Sequence, residues 1–449
     1  MKKLFIYLLS ALVVGLTSCV DNKEQELTLS SPTIYKISNL KASSFTADWT
    51  SIVNAQSYEL NLATDENFTN LVAPYESVST KEDFFHFEGL AKGQTFYVRV
   101  KASLKEKSSD FSSAKSITTL AEDGVEPDTP LKDVATTFRV GMATIVDRLN
   151  GTHDEIYKRE YNQISAEWEM KMNIMYPEEG RYDFTLADQL VEYAQNNGME
   201  VHGHALIWHA ATPDWVENYA GTDEEFSDMV EDYIKTTVTR YKGKVISWDV
   251  VNEAIDDAGG NYRNSVFLER MGEGYIQKCF EWAREADPDC LLFYNDYNLC
   301  WDRTKLDGVI TKVVDNFQSN NVPLDGVGFQ MHIGYNGPSK TTIAEHTKLI
   351  TDKGILMHFS ELDVKINPDN DLSGPTEERE FAQKDKVREV VEVYNAIPES
   401  SKFALTIWGL RDDESWIPSH QGHDDWPLLY DKDFTIKKAH TGFLEGLQE

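Results

Sequence analysis

Eight apolar runs, at 138–143, 163–167, 201–208, 245–252, 291–297, 326–332, 356–362 and 403–410, mark the chain from residue 131 to its end, with longer helix-compatible segments between them. Strands that are apolar along their whole length suit a parallel sheet covered on both faces. Eight strand–helix repeats predict an α/β fold, a (β/α)8 TIM barrel over 132–449. The runs turn polar or aromatic at their C-terminal ends: Ala166-Glu167, His204 through His209, Asn252-Glu253, Asn295-Asp296-Tyr297-Asn298, Gln330 and His332, Glu361 and Asp363, and Trp408. That end of a barrel is where several strands jointly assemble a reaction site. Core packing does not explain carboxylates there, because unpaired buried charge is costly.

The preceding stretch has a different period. Over 31–120, Phe45-Thr46-Ala47-Asp48-Trp49, Ser57-Tyr58-Glu59-Leu60-Asn61-Leu62 and Thr95-Phe96-Tyr97-Val98-Arg99-Val100 alternate apolar and polar residues between Ser-, Asn-, Asp- and Gly-rich turns. This predicts a small all-β sandwich. Trp49 early and Tyr97 late resemble core residues of a fibronectin type III module, which implies a spacer. Residues 121–131, rich in Glu, Asp and Pro, read as a linker.

At the start, Lys2 and Lys3 precede an apolar run that closes on Leu16-Thr17-Ser18-Cys19. A charged start, a short apolar stretch and small residues make an export signal over 1–18, too short to span a bilayer. The last four residues resemble a bacterial lipobox, which implies acylation of Cys19, an acidic tether over 19–30, and an exported lipoprotein of the outer membrane facing the cell surface. An ordinary secretory signal with an incidental cysteine is the alternative. Cys279, Cys290 and Cys300 remain; the last two flank one strand-like run and would stand ~30 Å apart, too far for a bridge. Buried free thiols are expected.

Charge narrows the partners. Lys and Arg total 43 against 75 Asp and Glu, a net charge of −32. Nucleic acids and anionic membrane surfaces both favour clustered basic residues, so neither is an expected partner.

Two carboxylates stand out at the barrel mouth. Glu253 ends Trp248-Asp249-Val250-Val251-Asn252-Glu253, and Glu361 lies in His358-Phe359-Ser360-Glu361-Leu362-Asp363. The fourth and seventh strands stand on roughly opposite sides of a barrel, so the two side chains can converge. One proton-donating carboxyl and one anionic carboxylate are the needs of glycoside hydrolysis. A structural ion pair would place acidic residues there equally well, so the pair alone does not decide.

The neighbouring motifs do. In order they are Gly203-His204-Ala205-Leu206-Ile207-Trp208-His209, the run into Glu253, Gly328-Phe329-Gln330-Met331-His332, Glu361-Leu362-Asp363, and Trp408-Gly409-Leu410 followed by Ser415-Trp416. Together they resemble a family 10 glycoside hydrolase, a family made mostly of endo-β-1,4-xylanases. The resemblance implies retaining cleavage of xylan or a related β-linked polysaccharide by a monomer, with no cofactor and no metal. By position it implies Glu253 as acid/base and Glu361 as nucleophile. Asn252, His332 and Asp363 support them, and Glu167, Lys171, His204, Trp208, Tyr297, Gln330, Trp408 and Trp416 contact sugar. Nine of the ten tryptophans lie in this part of the chain, and indole faces suit the apolar faces of sugar rings.

Two positions depart from the family pattern. Trp168 replaces an Asn that holds the sugar one place beyond the cleaved unit, and Ala211 stands where a Gln is common. Both remove amide groups, so the expectation is a distal glycone subsite that stacks where relatives hydrogen-bond. Two other readings remain open. His202 and His204 alternate on one run, as in metal-dependent barrel hydrolases, and the altered subsite also fits a surface glycan-binding lipoprotein without activity.

Overall fold

The computed structural model describes residues 29–38, 40–105, 107–119 and 129–448; the export signal, Cys19, most of the tether and most of the linker lie outside the described residues. The chain forms two compact units, 1–124 and 125–449.

The first unit holds strands β1 (Ile34–Ser38), β2 (Phe45–Trp49), β3 (Ser57–Ala63), β4 (Val78–Thr80), β5 (Phe84–Phe87), β6 (Thr95–Leu104), β7 (Lys107–Ser108) and β8 (Lys115–Thr118). They make two antiparallel sheets, one ordered β1-β2-β5 and one ordered β4-β3-β6-β7 with β8 beside β6. Phe45, Ala47 and Trp49 of one sheet share a buried cluster with Leu60, Leu62, Phe96, Val98 and Val100 of the other. Tyr97 is the correction. It is only half-buried, while Phe96, Val98, Val100 and Ala102 face inward. Adjacent aromatics at 96 and 97 allow an alternating pattern to be read in either phase, and a one-residue shift exchanges the faces.

The second unit is built on β9 (Arg139–Thr144), β10 (Gln163–Ala166), β11 (Glu200–Trp208), β12 (Val245–Asn252), β13 (Leu291–Asp296), β14 (Gly326–Phe329), β15 (His332–Gly334), β16 (Leu356–Lys365) and β17 (Lys402–Ile407). All pairings among them are parallel: β9 through β14 run in sequence order, β14 pairs β16, β16 pairs β17, and β17 returns to β9. Eight strands therefore close a barrel, and the short β15 adds to the edge of β16. The predicted runs carry over with shifted ends. The run at 326–332 divides because Met331 takes a φ of 59°, which turns the chain and lets His332 begin β15. Trp408 falls just after β17.

Inside the barrel, Phe293 and Phe403 pack at 4.6 Å between ring centres, with the imidazoles of His202 and His358 against them at 5.0 to 5.9 Å and 4.8 Å from each other. On the outer side, Trp248 of β12 lies across Gly203 of β11, where an added Cβ would overlap its ring. Helices cover that outer face, among them Asp223–Tyr241, whose start is fixed by a capping box between Thr222 and Glu225. Cys279, Cys290 and Cys300 are free and buried.

Candidate active site

Irregularities in two strands aim the first carboxylate. The pairing of β12 with β13 shifts register between Asp249 and Val251, and that with β11 shifts between His204 and Ile207. Without a shift, Asn252 would share a face with Trp248 and Val250; with it, Asn252 sits beside Asn295. Glu253 follows with a φ of 56°, and its backbone N–H donates to Asn295 O at 2.9 Å. Its Oε2 accepts from Trp208 Nε1 at 2.9 Å, and its Oε1 accepts from Gln330 Nε2 at 3.0 Å and Asn252 Nδ2 at 3.3 Å.

The second carboxylate is reached through a chain of amides. Gln330 Nε2 also reaches Asn252 Oδ1 at 3.3 Å, and Asn295 Nδ2 donates to that same oxygen at 3.0 Å and to Glu361 Oε1 at 2.7 Å. Ser360 Oγ donates to Asn295 Oδ1 at 2.6 Å and so fixes which end of that amide faces the site. Glu253 and Glu361, more than a hundred residues apart in sequence, thus share one buried hydrogen-bond network.

Glu361 is 4% exposed. Burial pushes its pKa up, but the charges of His204 and His332 and the bonds from His332 and Asn295 outweigh this and hold it below the usual carboxylate range. His332 Nε2 lies 3.2 Å from Glu361 Oε2, and its Nδ1 lies 2.7 Å from Asp363 Oδ2. Burial opposes the imidazolium, yet the Asp363 charge and the bonds to both carboxylates raise the His332 pKa to about 10. Trp416 Nε1 donates to the same Asp363 oxygen at 3.0 Å, and its ring packs 4.8 Å from His332. Glu361 is therefore held by a protonated imidazole that is itself held by a carboxylate and an indole.

The rest of the mouth is aromatic and basic. Lys171 Nζ lies 4.4 Å from the Trp168 ring and 4.7 Å from the Trp208 ring. Burial lowers its pKa, an effect opposed by the charges of Glu361, Glu167, Glu253 and Glu169. Trp168 is 51% exposed, whereas Ala211 is buried. Glu167 accepts from Arg148 at 3.2 Å, and burial raises its pKa against the pull of Arg148 and Lys171. Trp408 packs 5.2 Å from His204 and 6.4 Å from His332. His204 Nδ1 bonds Asp249 Oδ2 at 2.9 Å and His202 Nε2 lies 3.0 Å from the same oxygen, and the two imidazoles together draw the Asp249 pKa well below the usual range despite burial. These two imidazoles thus face one carboxylate; among the described residues no group of three His, Cys, Asp or Glu side chains could hold a metal.

Tyr297 is placed apart from the amide chain. Its hydroxyl bonds Asp257 at 2.5 Å and Arg263 at 2.6 Å, and Lys305 Nζ lies 3.3 Å from its ring centre. Sequence reasoning missed Asn295, Asp249, Arg263 and Lys305. Asn295 and Asp249 did carry a signal, being polar residues inside apolar strand runs; Arg263 and Lys305 carried none, because they reach the site from a loop and a helix.

Comparison with known proteins agrees with this geometry. The profile described as glycosyl hydrolase family 10 matches residues 131–445. The chain is 37% identical over 366 residues to endo-beta-1,4-xylanase Xyn10C of Cellvibrio japonicus, covering 74% of this chain and 60% of that one. It is 37% identical over 310 residues to a beta-1,4-xylanase of Dictyoglomus thermophilum, covering 67% and 86% respectively. A solved structure of a mutant xylanase 10C from Cellvibrio japonicus with xylopentaose superposes with a TM-score of 0.69 at 29% identity, covering 93% of this chain and 90% of that one. With the barrel closed, the two glutamates in one network and the profile spanning nearly all of the second unit, the chain belongs to glycosyl hydrolase family 10.

Proposed function

We propose that this chain is an endo-1,4-β-xylanase that cleaves xylan by double displacement with retention. The observation that carries this reading is the unequal environment of two glutamates in one network. Glu361 is buried, held anionic and hydrogen-bonded at both oxygens. Glu253 is more accessible and bonded by three neutral donors. In the first step Glu361 attacks the anomeric carbon while Glu253 protonates the departing oxygen; in the second Glu253 takes a proton from the water that releases the sugar. The Asn252 amide, between the two carboxylates, bonds the 2-hydroxyl, a contact that tightens as positive charge grows on the ring. Retention requires the carboxyl groups to approach to about 5–5.5 Å across the sugar. A 2-fluoro-xylobioside with an activated leaving group tests the assignment: it should leave a stable glycosyl adduct on the peptide that carries Glu361. An adduct elsewhere, or α-xylose ends as the first product, would refute it.

Trp168 belongs to this reading as the platform of the distal glycone subsite. One face of its ring meets Lys171, and half of the residue remains open to solvent. Stacking tolerates substituents at the ring edge better than a fixed amide bond does, so decorated xylo-oligosaccharides should be cut as readily as plain ones. An ordinary preference for unsubstituted xylan would count against it. The first unit serves as a fibronectin type III-like spacer, and Cys19 is the lipid anchor of a monomer displayed at the outer membrane. Loss of fatty-acid labelling in Cys19→Ala is the expected result for the anchor.

A further inference from the structure

Glu253 adopts a left-handed backbone conformation, with φ 56°, which a residue carrying a Cβ keeps only when its surroundings hold it there. The holding groups form a closed circuit. Arg263 Nε donates to Glu253 O at 2.8 Å, and its Nη2 donates to Ile255 O at 3.2 Å and to the Tyr297 hydroxyl at 2.6 Å. That hydroxyl donates onward to Asp257 Oδ2 at 2.5 Å. The fully buried Lys305 ammonium joins Asp257 Oδ1 at 2.9 Å to Asp296 Oδ1 at 2.8 Å. Asp296 Oδ2 accepts from Tyr294 Oη at 2.6 Å, and that oxygen accepts the N–H groups of Ala254 at 3.0 Å and Ile255 at 3.1 Å, which returns the path to the turn.

We propose that Arg263 is a positioning residue for the acid/base: with Asp257, Lys305 and Asp296 it clamps the turn that aims Glu253 at the leaving-group oxygen, and it ties that turn to the sugar-side wall at Tyr297. The inference rests on the reading of Glu253 given above. Arg263 and Lys305 alternate around the circuit with the carboxyl groups of Asp257 and Asp296, so removing one member takes a partner from each of its neighbours. The peptide on both sides of Glu253 is pinned, leaving only the side chain to be steered by Trp208, Gln330 and Asn252.

A misaimed acid harms departure of a poor leaving group and spares one that departs without a proton, whereas a general loss of fold harms both alike. The full chain carrying Arg263→Met, Arg263→Lys or Asp257→Asn is compared with the parent on xylohexaose and on dinitrophenyl β-xylobioside. In Arg263→Met, kcat/KM on xylohexaose should fall by about 10²-fold and on the dinitrophenyl substrate by less than about threefold. Arg263→Lys keeps the charge without the fork and should fall between. Asp257, whose side chain is 47% exposed, can be changed without opening the core, and Asp257→Asn should show the same split at smaller size. Equal losses on both substrates, or no loss on xylohexaose, would overturn the clamp. Glu253→Gln separates the two readings: a split there but not in the Arg263 and Asp257 variants defeats the clamp alone, while no split in Glu253→Gln defeats the acid/base assignment and the clamp with it.

Discussion

The role proposed for Glu361 needs a carboxylate that is anionic and still, and the charge of His204, the protonated His332 and the Asn295 amide hold it so. The prediction at this scale concerns Asp363. An ordinary histidine in the unfolded chain titrates near 6.5, and His332 in the folded chain near 10. A raised pKa of this kind adds stability that is complete below about pH 6.5 and is lost as pH climbs through about 10. In Asp363→Asn the main source of that rise is gone. The melting temperature of the parent should therefore decline between those pH values more steeply than that of the variant. The alkaline limb of kcat/KM should also move to lower pH in the variant. Parallel melting curves and an unmoved alkaline limb would refute the link. Glu253, Glu361, His332, Asp363 and Asn295 all stood out in the sequence as polar residues at the ends of apolar runs, and the family resemblance supplied expected roles for the first four. The role of Asn295 was not readable, because it depends on which end of its amide faces Glu361, and Ser360 on another strand sets that.

Strands place those residues, and the space between strands matters as much as their order. Gly328 on β14 lies beside Asn295 on β13, and a Cβ added there would overlap Asn295 Oδ1. Gly328→Ala should push the amide off Asn252 and Glu361, lowering kcat by about 10²-fold, with about 1–3 kcal/mol lost from the fold by overpacking. Steady-state kinetics and chemical denaturation read the two effects separately. An unaltered kcat would show that the strand yields instead. Another close approach sets the loop of the Glu253 turn: Gly260, with φ 67°, meets the backbone of Gly308 in helix Arg303–Val309, the helix that carries Lys305. Strand positions were readable from the runs because parallel strands covered on both faces are apolar throughout. Their ends were not, since Met331 and Glu253 turn the chain through left-handed conformations that neither residue type announces. The register shifts beside Asp249 were equally hidden, because bulges leave no fixed mark in composition.

Among the described residues of the whole molecule, the buried hydrophobic clusters divide between the two units: one around Trp49 and Leu60 in the first, and in the second a large one around the barrel with a small one inside it at Phe293 and Phe403. The negative charge that argued against nucleic acid says little about sugar: Glu253, Glu361 and Asp363 are three of 75 acidic residues. The thiols are more informative than their number suggests. Cys279, Cys290 and Cys300 are the only cysteines besides Cys19, and burial raises the pKa of all three, to about 12 for Cys290 and Cys300. Neutral buried thiols react slowly, so an alkylating reagent should modify them only when the barrel opens. The rate of their modification is then a built-in clock for barrel opening, blind to the antiparallel unit. Run at rising denaturant with mass detection, it should give one cooperative step in which all three sites label together; labelling of one site far ahead of the others would mark the segment of the barrel that lets go first.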